Sequence, residues 1–182
     1  MTRVTRVQYA PKPIRQRLTF QGHLIGCTDT SFAMGADAAT LGGLIVSEAQ
    51  VRALSDEARP DPASPGLNLA QLDRVAWRLH VDFFNRTNDT FPDLLEELDA
   101  RAPVVAQLWY PGIGGNPIGH ALYLRSRSGG RIKGVDPVKG VYGTWPEAQV
   151  QQAMRTFADK HNVAGLLWGA FRRTPWLARN QE

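Results

Sequence analysis

Three residue types with the makings of a nucleophile, a base and its orienting acid are spaced along this chain as Cys27, His120 and Asp136. Cys27 is the only cysteine among 182 residues, so it can form no internal disulfide. A free thiol usually serves as a small buried apolar group. Cys27 is set apart by its position at the start of a helix-like run, with Gly119-His120 and Asp136-Pro137 far downstream. A helix start and a neighbouring imidazole are the two devices that lower a thiol pKa and make it a nucleophile. His120 would supply the imidazole, and Asp136 the acceptor that fixes its tautomer. Gln21, six residues before the cysteine, could fold its amide back beside the Cys27 backbone N–H and donate to a developing oxyanion.

The other histidines and the tryptophans compete poorly for these roles. His23 lies four residues from Cys27 and lacks an orienting partner, while His80 and His161 fall at helix ends and read as solvated surface. Trp109, Trp145 and Trp168 read as core, with Trp176 in the C-terminal tail.

Positioning these groups requires helices first and a sheet later. Thr28 to Leu41 carries Phe32, Met34, Ala36 and Ala39 at roughly helical spacing, which predicts a buried helix. Gly42-Gly43 ends it, and Ser47 opens a short helix over Glu48 to Leu54. After the proline-rich stretch from Arg59 to Gly66, Asn68 caps a helix with a stripe of Leu69, Leu72, Val75, Ala76 and Leu79. Val81 to Asn85 reads as a strand, Thr90 caps a helix through Leu98, and Pro103 to Tyr110 reads as a buried strand. Ile118 to Arg125 and Arg131 to Val135 form a hairpin pair through Arg127-Ser128-Gly129-Gly130, with His120 opening the first strand and Asp136 closing the second. Thr144-Trp145-Pro146-Glu147 then caps a last helix to about Ala158, and Val163 to Phe171 is a final strand. The order implies an α+β fold with a mainly antiparallel sheet.

Taken together, Gln21 with Cys27, Gly119-His120 opening a strand, and Asp136-Pro137 followed by Gly140 and Trp145-Pro146-Glu147 resemble the bacteriocin-processing, double-glycine type of papain-like cysteine peptidase. Leu67 to Asn85 and Thr90 to Tyr110 extend the resemblance, which covers roughly Leu18 to Phe171. The resemblance implies Cys27 as nucleophile, His120 as general base and acid, Asp136 as orienter and Gln21 as oxyanion donor, with peptide bonds cleaved through a thioester. Gly26 and Thr28 flank the cysteine where the family commonly has Asp or Trp and Gly or Trp. A preference for Gly-Gly leaders is therefore not implied.

Composition bounds the rest. The length suits one domain, read as residues 18–171 between a basic arm, 1–17, and a tail, 172–182. The net charge of +4 comes from arginines spread along the chain without a nucleic-acid motif, so no nucleic-acid partner is expected. Neither a cofactor motif nor metal-ligand spacing is present, and no apolar run reaches the roughly 18 residues of a membrane span. The arm shows no signal-peptide pattern, so a cytoplasmic or virion-associated setting is expected. The expected substrate is a peptide or a peptidoglycan-like amide. The alternative is a structural protein of a phage tail or secretion assembly, docking through arm and tail.

Overall fold

The computed structural model describes residues 9–15, 26–58, 67–86, 89–111 and 117–172. Its first helix, α1 (Cys27–Ala39), has buried residues on nearly every side, among them Phe32, Ala33, Met34 and Ala36. Such a helix belongs in a core. Two further helices follow: α2 (Glu48–Ala58) packs beside it, and α3 (Leu69–Arg78) packs on α2. Both open with reciprocal caps. The Gln50 N–H donates to Ser47 Oγ at 3.2 Å and the Ser47 N–H to Gln50 Oε1 at 3.0 Å. The Gln71 N–H donates to Asn68 Oδ1 at 3.0 Å and the Asn68 N–H to Gln71 Oε1 at 2.9 Å. Each pair satisfies two amides that a helix start otherwise leaves open.

The remaining elements are β1 (Phe83–Arg86), α4 (Phe91–Asp99), β2 (Val104–Pro111), β3 (Pro117–Ser128), β4 (Arg131–Asp136), β5 (Val141–Pro146), α5 (Glu147–Lys160) and β6 (Trp168–Phe171). All six strands pair antiparallel in the order β1-β6-β2-β3-β4-β5, so the last strand inserts between the first two. Strand alternation divides the core. Val105 and Ala121 join α1, α2 and α3 in one apolar cluster, while Val104, Ala106, Leu108, Leu122 and Leu124 join α4 and α5 in another. Helices therefore cover both faces of the sheet, and the α+β class expected from the element order is the class observed.

Several boundaries differ from the sequence reading: α2 runs on past Leu54 to Ala58, and β3 continues through Arg127 and Ser128, leaving Gly129-Gly130 as the turn. Thr144 and Trp145 do not cap a helix; they lie in β5, opposite Lys133 and Ile132 of β4, and α5 starts only after Pro146. β-branched and aromatic residues suit a strand when a partner edge is available, and Pro146 ends that strand where no further N–H is needed. The final strand is confined to Trp168–Phe171, the stretch that finds partners in β1 and β2. His120 is the fourth residue of β3, which starts at Pro117. Trp168 is fully buried, whereas Trp109 and Trp145 are half-buried and line a cavity of about 270 Å³ between the sheet and α5. His80 is exposed, and His161 is exposed with its ring 4.2 Å from that of Phe157. Trp176 lies outside the described residues.

Candidate active site

Cys27 is the first residue of α1, where the helix presents unpaired N–H groups and the positive end of its dipole. Gly26 before it has φ of 87°, a left-handed conformation, and a Cβ there would collide with the Arg52 guanidinium. Glycine meets both demands. Arg52 is itself held by Glu48 and lies 3.7 Å from Asp29, an ion cluster packed against the residue that leads into the thiol.

The sheet brings the other two groups to Cys27. β4 pairs with β3 only from Tyr123 opposite Val135 onward, so the preceding part of β3, with His120 and Ala121, has an edge that β4 leaves open. The start of α1 occupies it, with Ser31 Oγ donating to the Ala121 carbonyl at 3.3 Å. Asp136 follows Val135 and so comes beside His120, with His120 Nε2 lying 2.8 Å from Asp136 Oδ1. The other ring nitrogen, Nδ1, is left for the thiol, and the two groups lie close enough for each to shift the other's titration. His120 and Asp136 are only 3% and 2% exposed, which excludes the water that would weaken their pairing.

Burial pushes the Cys27 thiol up, but His120, the Ala121 N–H and Thr28 together outweigh it, and the thiol pKa falls below its ordinary value. Burial alone would lower His120; its bond to Asp136 and the nearby Cys27 thiol prevail and push it up to about 9. Burial likewise opposes ionisation of Asp136, yet His120, the Val138 N–H and Tyr110 keep its carboxyl below the usual range. All three directions favour the charged form of each group, thiolate, imidazolium and carboxylate.

Sequence reasoning missed Tyr110. Its ring centroid lies 4.9 Å from that of His120, and its hydroxyl is close enough to Asp136 to interact with the carboxylate. Pairing the two strands would have found it, since Leu108 lies opposite His120 and Tyr110 opposite Ile118. Gln21 and His23 lie outside the described residues. Among the described residues, no group of three or more His, Cys, Asp or Glu could hold a metal ion, and no helix is long and apolar enough to cross a membrane.

No protein-family model matches the sequence, and no curated protein matches it either. Solved structures do. A C39-like peptidase from Bacillus anthracis superposes with a TM-score of 0.62 at 16% identity, covering 90% of this chain and 95% of that one. The chain has the papain-like peptidase fold. The peptidase domain of Streptococcus ComA, a bifunctional ABC transporter of a quorum-sensing pathway, superposes on it with a TM-score of 0.60 at 16% identity, covering 90% of this chain and 98% of that domain. Both comparisons span the leading helices and the antiparallel sheet of the papain-like architecture, and at this identity the likeness is one of fold.

Proposed function

We propose that this chain is a cysteine peptidase, a thiol hydrolase of peptide or amide bonds. The observation that carries the reading is the buried His120–Asp136 pair at 2.8 Å, with the Cys27 thiol at a helix start and its pKa lowered by the same imidazole. In this reading the Cys27 thiolate attacks the scissile carbonyl carbon, and the negative charge moves to the carbonyl oxygen. The Cys27 N–H and the Gln21 amide stabilise that oxyanion. Collapse of the intermediate breaks the C–N bond, and the His120 imidazolium gives its proton to the departing amine, leaving a thioester. Neutral His120 then takes a proton from water, whose oxygen attacks the thioester. The acid product leaves and the thiolate–imidazolium pair is restored. Asp136 keeps Nε2 protonated throughout, so that Nδ1 does the proton transfer.

The substrate class is a peptide or a peptidoglycan-like amide, and a panel of both tests it. Hydrolysis should vanish in Cys27→Ala and fall about 10²–10⁴-fold in His120→Ala, the range for loss of a general acid–base. Iodoacetamide should alkylate wild-type Cys27 well below the pH of an ordinary thiol, and His120→Ala should remove that advantage. A thiol that titrates near 8.5 in both proteins would sink the reading and leave the fold as a scaffold.

A further inference from the structure

Asp136 Oδ1 has two donors, His120 Nε2 at 2.8 Å and the Val138 N–H at 2.9 Å. Its second oxygen, Oδ2, is fully buried and makes no hydrogen bond among the described residues. A buried carboxylate oxygen without a donor is costly and leaves the carboxylate free to rotate about its one engaged atom. The side chain beside it is Tyr110, whose ring also lies 4.9 Å from His120. Tyr110 also lines the cavity bordered by Leu108, Trp109, Leu122 and Trp145.

We infer that Tyr110 is a positioning residue of the proposed reaction: its hydroxyl closes on Asp136 Oδ2 while its ring shields His120, together holding the imidazolium in line with Cys27. This rests on the cysteine-peptidase reading. Tyr110 touches neither substrate nor thiol in this role and acts only through the pair. With Oδ2 engaged, the carboxylate cannot turn away from Nε2, and His120 keeps the proton that stabilises the thiolate. The phenol already feels this carboxylate: burial and the nearby charge both raise its pKa.

The test is the pH profile of Cys27 alkylation by iodoacetamide, with the His120 titration followed by NMR, in the full chain as wild type, Tyr110→Phe and Tyr110→Leu. Loss of the hydroxyl in Tyr110→Phe should raise the thiol midpoint and lower the His120 midpoint, each by about half a pH unit, roughly a threefold change in population. Tyr110→Leu, which also loses the ring, should shift both further. A thermal midpoint that drops in Tyr110→Phe while both titrations stay in place would show a structural role and overturn the inference. Should Tyr110→Leu fail to fold, Tyr110→Phe decides alone. A wild-type thiol without a lowered midpoint overturns the peptidase reading together with this one; a lowered wild-type midpoint unchanged in Tyr110→Phe overturns this one only.

Discussion

Cys27 and His120 each favour the other's charged form, so removing one should move the other. Because Cys27 is one of the groups that raise His120 to about 9, Cys27→Ala should lower the His120 midpoint, which NMR of the imidazole resonances would follow. The same value sets a limit on turnover. Above a pH of about 9 the imidazolium loses the proton needed by the leaving amine, so hydrolysis should decline there while alkylation, which needs only thiolate, stays on its plateau. Asp136 gives a stability signature of known sign. Its folded pKa is depressed below 3.8, so its contribution is present above that value and is lost as pH falls through the lower folded one. Urea unfolding should therefore show wild type losing more stability than Asp136→Asn between about pH 5 and about pH 3. Equal losses would mean that the carboxylate is not stabilised by folding. Asp136→Asn should also cut hydrolysis by about a hundredfold or more, because an amide can present the wrong group to Nε2.

The β3–β4 pairing sets the distance between His120 and Asp136, and Gly134 lies in it opposite Leu124. A Cβ at Gly134 would run into the Tyr123 carbonyl oxygen, a backbone atom that cannot swing aside. Gly134→Ala should cost about 1–3 kcal/mol, as overpacking does, and should weaken hydrolysis by parting the two strands. Gly129→Ala at the open hairpin tip has no such neighbour; its left-handed φ of 57° makes alanine costly for stability too, but the His120–Asp136 geometry should be unchanged, so the activity assay separates loss of register from loss of stability. The hairpin itself was legible, because Gly129-Gly130 marks a turn between two strand-like runs and fixes Ser128 opposite Arg131. The helix bearing Cys27 was legible from its apolar spacing, and the caps at Ser47, Asn68 and Thr90 from local chemistry. β5 was not, because Thr144-Trp145-Pro146-Glu147 has the form of a helix start and only the edge of β4 makes it a strand. Tyr110 was hidden for the same reason: nothing along the chain links it to residue 120, and cross-strand register alone brings them together.

The two helical layers leave one side of α1 to the chain's own beginning. Residues 9–15 belong to the segment read from sequence as a docking arm, and they run across α1 and the turn after β4. Tyr9 donates to Asp37 at 2.9 Å, the Ile14 N–H meets Met34 Sδ at 3.4 Å, Tyr142 donates to the Pro11 carbonyl at 2.8 Å, and Arg15 Nε donates to the Val138 carbonyl at 3.3 Å. Asp37 and Met34 lie on the helix that carries Cys27, and Val138 is the residue whose N–H holds Asp136. The segment thus ties the helix that carries Cys27 to the turn after Asp136. Each buried or half-buried hydrogen bond of this kind contributes about 1 kcal/mol, so deleting residues 1–15 should cost roughly 2–3 kcal/mol. For a domain of this size that is a fall of roughly 4–12 °C in thermal midpoint, readable by calorimetry on a monomeric sample. Tyr142→Phe, which removes only the bond to Pro11, should lose about a third of that. A segment that served only to dock on a partner would leave the monomer's midpoint where it was. If the midpoint does fall, residues 9–15 are part of what keeps α1 against the sheet, and the alkylation profile of Cys27 should deteriorate in the truncated chain along with its stability.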